Sequence, residues 1–173
     1  VTAGSQEKVY LSSIRWNQTG SVSGKDFDVK TYVEGVAYDA VASSDGKYYT
    51  SIFGDNSGKG ILIDKGFSKE LFIKGDVKDG SGRTVDFDIA KRRDINLVGE
   101  LYGYGITPPK TGATVPTADT SAFSSSEDPW YDAAQVTVSA GTMTVSSDSS
   151  VASQNIAVNL QDQPLGGFSV DVR

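Results

Sequence analysis

Two Asp-Phe-Asp triplets, residues 26–28 and 86–88, carry carboxylates at a spacing that could support acid–base chemistry. Residues i and i+2 of a strand share one face, and paired carboxylates are the groups with which glycosidases cleave sugars. Because the central Phe of each triplet is expected to point into the core, both of its flanking carboxylates are predicted to point to solvent. The triplets therefore favour solvated strand faces over a catalytic pair.

The chain contains no His and no Cys, which narrows the chemistry further. Triads built on His, thiol nucleophiles and the preferred ligands of transition metals are all excluded. A hydrolase or lyase could still work with Asp, Glu, Tyr, Lys and Arg, but no pattern places two such groups in a defined pocket. We therefore predict a protein that is not an enzyme.

Acidic loops leave calcium as the metal ion to consider, because hard cations prefer clustered oxygen ligands. The stretch SSSEDPWYD brings Glu127, Asp128 and Asp132 together in sequence. No loop follows the D-x-[DN]-x-[DN]-G pattern of a calcium-binding loop, and Asp in a turn commonly caps its own backbone. The prediction is no resident cofactor, with these three carboxylates as candidate calcium ligands.

Aromatic residues form a second set of candidates. Tyr102 and Tyr104 lie at i and i+2 in LYGYG, and Trp130 and Tyr131 follow a Ser-rich stretch. Exposed rows of Tyr and Trp on a β-sandwich can stack on pyranose rings, which predicts a non-catalytic carbohydrate-binding module as the alternative function. The same rings could instead cover core edges or fill contacts between subunits, where Tyr and Trp are enriched.

Charge and hydropathy exclude several partners. The formal net charge is −6 and the pI is about 4.6. The only basic cluster, residues 91–93 in AKRRD, could meet an acidic patch on a neighbouring subunit or could block unwanted strand pairing. This balance argues against nucleic acid, and no apolar run approaches the roughly 18 residues of a membrane span. Asn17 begins the glycosylation sequon NQT.

Strands must position these residues, since period-2 alternation recurs along the chain and no convincing amphipathic helix is found. Val9 and Leu11 share one parity, whereas Ile14 and Trp16 have the other, so we expect a β-bulge at Ser12-Ser13 to restore the register. Near the end, Phe168, Val170 and Val172 alternate with polar residues. We predict an all-β fold.

Changes in amino-acid composition along the chain divide it into three parts. Residues 1–106 are predicted to form a β-sandwich domain, and residues 107–132, rich in Thr, Pro and Ser, a linker or long surface loop. Residues 133–173 supply further strands with few large apolar residues. Segments of about 40 residues seldom fold alone. This strand set is therefore predicted to complete the same sandwich or that of a neighbouring subunit.

The stretches VYLSSIRWNQTGSVSGKDFDVKTYVEG and GILIDKGFSKELFIKGDVKDGSGRTVDFDI resemble Ig-like β-sandwich modules of secreted bacterial surface proteins, such as the S-layer-type proteins of small-genome uncultured bacteria. The segment GTMTVSSDSSVASQNIAVNLQDQPLGGFSVDV resembles the stretch that leads into the next such module. The resemblance implies an antiparallel, Greek-key-type sandwich and an extracellular or cell-surface location. It implies a structural role and brings no catalytic residues with it.

In the tandem pattern of these modules, the end of one module leads into the first strand of the next. We therefore predict a subunit of an extracellular filament or surface layer, assembled from copies of itself by strand addition. The donor would be the terminal segment with Phe168, Val170 and Val172, or the N-terminal segment with Val9 and Leu11. Cell-envelope polysaccharide is a further expected partner. In the simpler alternative both ends of the chain pair within one sandwich.

Overall fold

The computed structural model describes residues 1–54, 58–110, 121–139, 143–147 and 168–172, and it is built from antiparallel strands. Two short 3₁₀ segments, Gly24–Asp26 and Arg92–Asp94, interrupt them. Within these ranges no helix is long and apolar enough to cross a membrane. The all-β prediction is confirmed, whereas the Ig-like connection pattern stays a prediction.

The strands are β1 (Val9–Gly20), β2 (Phe27–Val33), β3 (Val36–Asp39), β4 (Val41–Ala42), β5 (Tyr48–Ile52), β6 (Ile61–Ile63), β7 (Leu71–Val77), β8 (Thr84–Asp88), β9 (Ile95–Gly99), β10 (Gly105–Ile106), β11 (Ala122–Phe123), β12 (Tyr131–Asp132), β13 (Val136–Thr137), β14 (Met143–Ser147) and β15 (Phe168–Val172).

The chain forms two compact units, residues 1–138 and residues 139–173. This division differs from the predicted one, in which new parts began at residues 107 and 133. The difference arises because β13 pairs with β8 and so belongs to the first unit.

Strand β1 is the centre of the larger sheet of the first unit. It pairs with β9 and β8 along one edge and with β6 and β5 along the other. Its register against β9 shifts between Leu11 and Ser13. Because of this bulge, apolar residues on both sides of it are buried, and the predicted irregularity at Ser12-Ser13 is confirmed. These residues are Val9, Leu11, Ile14 and Trp16.

A three-stranded sheet in the order β3-β2-β7 faces the larger sheet. The Trp16 Nε1–H donates to Thr31 Oγ1 at 2.9 Å, and the Ser51 hydroxyl donates to the same oxygen at 2.8 Å. Thr31 lies on β2, so these buried bonds join the two sheets, and the ring of Phe27 contacts Phe87 edge-on at 5.6 Å. The core therefore lies between two antiparallel sheets.

Part of the segment predicted as a linker is integrated into the first unit. Strands β11 and β12 pair with each other, and Ile89 forms a bridge with Tyr131. Further along, Val136 pairs with Val85 of β8. Residues 131–137 thus run beside β8, while residues 111–120 lie outside the described part of the chain.

The second unit is described only as a hairpin of β14 and β15. Its register places Phe168, Val170 and Val172 opposite Ser147, Val145 and Met143, so mainly apolar pairs alternate with polar ones. An isolated two-stranded hairpin is at best marginally stable in water. The strand predicted in QNIAVNLQD lies outside the described residues.

Candidate functional site

A largely apolar groove of about 720 Å³ opens between the two sheets of the first unit. One wall is formed by β2 and β7, and the other by β8 together with residues 131–136. Ile14 and Trp16 of β1 also line it. The volume lies in the range of sites that enclose a ligand or an extended peptide segment. On β7 the groove is lined by Leu71, Phe72, Ile73, Gly75 and Val77.

The groove runs along an edge of β7 that has no partner among the described strands. The Glu34 N–H donates to the Glu70 carbonyl, and the Lys78 N–H donates to the Asp26 carbonyl. Residues of an antiparallel strand alternate between those that bond the neighbour and those that point away from it. Even-numbered residues of β7 therefore bond β2, and the odd-numbered ones turn their N–H and C=O groups to the open edge.

Residues at the N-terminus already occupy the continuation of this edge. The Val1 amine donates to the Lys69 carbonyl at 2.7 Å, and the Lys69 N–H donates back to Val1 at 2.8 Å. Thr2 bridges Ser68 in the antiparallel sense. Among the residues that the structure describes, the edge is thus covered up to Lys69 and open from Leu71 onward.

The open edge combines two features that native sheets usually avoid together. Its free backbone groups are a template for another strand, and its side chains are partly exposed and apolar. Phe72 is 51% exposed and Val77 is 48% exposed. Lys74 and Lys78 offer the kind of charged side chain that limits unwanted pairing. Chemically, the arrangement can accept an extended segment whose apolar residues enter the groove.

The second Asp-Phe-Asp triplet contradicts its sequence-based interpretation. Asp86 and Asp88 do lie on the face opposite Phe87, but both are buried, at 6% and 4% exposure. The Thr19 hydroxyl contacts both carboxylates, and the Ala133 N–H donates to Asp88 at 2.8 Å. Burial raises the pKa of Asp88, and the neighbouring charge of Asp86 adds to this effect. In the first triplet Asp28 is exposed, as predicted, whereas the side chain of Asp26 is only 13% exposed.

The candidate calcium ligands are used differently from one another. The Glu127 carboxylate pairs with Arg92, and this hydrogen bond lowers its pKa. Asp128 is exposed, whereas Asp132 is 8% exposed. In the part of the chain that the structure describes, no three acidic side chains form a group that could hold a metal ion. Calcium therefore stays a prediction without a described ligand set.

The three basic residues of the run 91–93 have different surroundings. Lys91 donates to the Glu127 carbonyl, and Arg92 reaches Glu127 and the Pro108 carbonyl. Arg93 is exposed on the other side, beside a shallow polar cleft that Arg15 also lines. Two of the three cations thus anchor flanking loops.

Of the four aromatic candidates, two are on the surface. Tyr102 and Tyr104 are 72% and 76% exposed in the turn between β9 and β10. Trp130 is only 5% exposed and contacts Phe123, which fits the alternative that this ring covers an edge of the core. Tyr131 is half-buried and lines the groove.

The two predicted donor segments also differ. Val9 and Leu11 are buried in β1 and paired along both edges, so their backbone groups already bond strands of their own sheet. The backbone of Phe168–Val172 pairs only with β14 among the described strands. Asn17 lies half-buried in the middle of β1, opposite Tyr48. Of the two predicted donor segments, the terminal one is thus the segment with an edge that has no partner among the described strands.

Comparison with protein-family models, with curated proteins and with solved structures found no match for this chain.

Proposed function

We propose that this chain is a non-catalytic structural subunit of an extracellular filament or surface layer, whose copies assemble head to tail by adding a strand to β7. The open edge of β7 beside the apolar groove is the observation that carries the proposal. An incoming strand would bond the outward N–H and C=O groups of Leu71, Ile73, Gly75 and Val77. Its alternate side chains would fill the groove, as in other cases of strand addition.

The occupant that fits is the terminal segment of a second copy. Apolar residues alternate along Phe168–Val172, and one edge of β15 has no partner among the strands that the structure describes. Pairing with a further strand would also stabilise the hairpin, because an isolated two-stranded hairpin is at best marginally stable in water. A donor at one end and an acceptor on another surface make a heterologous contact, which extends into a filament unless the rotation closes it. The likeness to modules of bacterial surface proteins supports the extracellular location.

Assembly is tested by size-exclusion chromatography and negative-stain electron microscopy of the purified chain, with and without a chelator. We expect polymers that survive the chelator and change little with salt, because apolar contacts and backbone hydrogen bonds hold them. Removing residues 166–173 should leave a folded, non-polymerising protein.

A matched pair of substitutions separates the groove from general surface effects. Val77→Lys places a charge at the groove and should abolish polymers. Val36→Lys makes the same change on β3, at the opposite edge of the same sheet, where Val36 is 56% exposed, and should leave them intact. A wild-type chain that stays monomeric at high concentration would exclude the proposal, and so would equal effects of the two substitutions.

A carbohydrate-binding module is the second candidate, because Tyr102 and Tyr104 are highly exposed on one turn. Aromatic rings in such positions can stack on sugars while their hydroxyls donate hydrogen bonds. Affinity electrophoresis through cell-envelope polysaccharide gels should then show retardation that is lost in Tyr102→Ala and Tyr104→Ala. Equal mobility of the wild type in gels with and without polysaccharide would remove this candidate.

A further inference from the structure

We infer that the first unit carries a further binding site, a cleft that takes the carboxylate of an acidic sugar such as a uronic acid. The cleft has a volume of about 420 Å³ and lies on the face of the larger sheet that is turned away from the core. It shares no residue with the groove beside β7, so the inference goes beyond the proposed assembly and does not rest on it. We call it the Arg15 cleft, and it is lined by Ser13, Arg15, Thr50, Arg93, Asp94 and Asn96.

Strand pairing brings the polar residues of the Arg15 cleft together. Because Ile14 of β1 is buried in the core, its neighbours Ser13 and Arg15 point to the outer face of the sheet. Thr50 of β5 lies directly opposite Arg15, and Asn96 of β9 lies opposite Ser13. Directly opposite residues of neighbouring strands share one face. The outer face of three neighbouring strands therefore presents hydroxyl, amide and guanidinium groups side by side.

The Arg15 guanidinium is held in place from two sides. Its Nη2 donates to Asp94 Oδ1 at 2.5 Å, and its central carbon lies 5.0 Å from the centroid of the Tyr48 ring. A guanidinium has five N–H donors, and Asp94 is the one hydrogen-bond partner that Arg15 has among the described residues. The Arg15 side chain is still 46% exposed, so it can donate to a ligand. Because the side chain is already fixed, binding costs it little further conformational entropy.

The Arg15 cleft keeps one positive charge that is not neutralised. The Asp94 side chain is 4% exposed, and its second carboxylate oxygen accepts from the Lys91 N–H at 2.8 Å, so it is fixed toward Arg15. Arg93 is exposed and forms no ion pair with a described residue. Two guanidinium groups and one carboxylate leave the cleft with a single net positive charge, in a chain whose formal net charge is −6. The cleft therefore attracts an anionic group.

Charge and neutral polar groups together define the ligand. Arginine binds carboxylates through parallel N–H···O bonds, and one net positive charge matches a carboxylate better than the nearly double charge of a phosphate monoester. The hydroxyls of Ser13 and Thr50 and the amide of Asn96 both donate and accept hydrogen bonds, as the hydroxyls of a sugar require. A uronic acid combines the carboxylate with these hydroxyls.

An acidic surface on a second copy would present the same carboxylate chemistry. The centre of a contact between proteins is largely apolar, whereas all six residues that line the Arg15 cleft are polar or charged. The lining therefore favours the acidic sugar, and the experiment below distinguishes the two occupants.

Saturation-transfer difference NMR tests the site, because it detects the ligand and works whether the full chain is a monomer or a polymer. Sodium glucuronate is added at low ionic strength, where exposed charges are least screened. We expect saturation transfer to glucuronate and none to glucose, which lacks the carboxylate. Glucose 6-phosphate should displace glucuronate only at a higher concentration than unlabelled glucuronate requires.

A matched pair of substitutions locates the binding. Arg93→Gln removes one guanidinium and should weaken glucuronate binding about tenfold or more, because hydrogen bonds to charged groups are strong. Lys65→Gln removes one exposed positive charge from the turn between β6 and β7 and should leave binding unchanged. Arg15→Gln should weaken binding as Arg93→Gln does. Circular dichroism checks its fold, since it leaves the buried Asp94 without its cation.

Several outcomes would overturn the inference. Equal saturation transfer in the wild type and in Arg93→Gln, or none in the wild type, would exclude the site. Tighter binding of glucose 6-phosphate than of glucuronate would assign the cleft to phosphate instead. A change of oligomeric state in Arg93→Gln but not in Lys65→Gln, measured by size-exclusion chromatography, would assign it to a second copy. Loss of polymers through the β7 edge would leave the glucuronate result unchanged, so the two proposals fail separately.

Discussion

At the scale of single residues, burial of Asp88 makes the stability of the fold depend on pH. The pKa of this carboxyl is raised by desolvation and by the charge of Asp86. Below the pKa of the unfolded chain both states are protonated and no penalty arises. As the pH rises toward the raised native pKa, the unfolded state loses its proton first, so the fold is progressively destabilised.

We therefore expect Asp88→Asn to raise the free energy of unfolding at pH 7 and to have little effect at pH 3. The amide oxygen can still accept from the Ala133 N–H, and the amide nitrogen can donate to Thr19. Urea unfolding followed at both pH values measures the difference. Asp28→Asn, at the matching position of the first triplet but exposed, should change stability little at either pH. A stabilisation by Asp88→Asn that is equal at pH 3 and pH 7 would contradict this account.

At the scale of elements, the bulge of β1 depends on a close backbone approach by the loop before β6. Gly60 has a φ of +104°, and a Cβ there would lie 2.3 Å from the Leu11 carbonyl oxygen. Gly58, in the same loop, has a φ of +71° but open space around its Cα. Gly60→Ala should therefore cost about 3 kcal/mol or more, whereas Gly58→Ala should cost about 1 kcal/mol for its backbone conformation alone. Chemical denaturation of both variants measures these losses, and similar values would argue against the close contact.

This bulge shows what alternation along a chain can predict. Val9, Leu11, Ile14 and Trp16 could share a face only if one residue were inserted, so the irregularity followed from local parity. The unpaired edge of β7 was harder to predict from the sequence, because KELFIKGDV indicates a strand without showing which strand lacks a neighbour. An unusual run of apolar residues next to Gly75 was the available signal.

Contacts between residues far apart in sequence explain the errors in the sequence-based interpretation. Parity correctly placed Asp86 and Asp88 on the face opposite Phe87, but both are buried, and the Ala133 N–H bonds Asp88. Trp130 is buried as well, and its ring contacts Phe123. A pairing between residues some 45 positions apart leaves no trace in local periodicity.

At the scale of the whole molecule, the division after Val138 predicts that the first unit folds by itself. All the buried apolar residues that the structure describes lie between Ala3 and Trp130. A chain of residues 1–138 keeps these contacts, β13 and the Ala133 N–H that bonds Asp88. Its cooperative unfolding and Trp fluorescence should resemble those of the full chain, while polymers should be lost with the donor strand.

A chain ending at residue 132, the boundary that composition suggested, is the matched comparison. It lacks β13 and leaves the buried Asp88 without its backbone donor, and an unpaired buried acceptor costs about 1–3 kcal/mol. We therefore expect it to unfold several degrees below the chain ending at residue 138, and differential scanning calorimetry of both measures the gap. Equal midpoints would mean that residues 133–138 add nothing to the first unit. Polymers from either truncated chain would show that the terminal hairpin is not the donor.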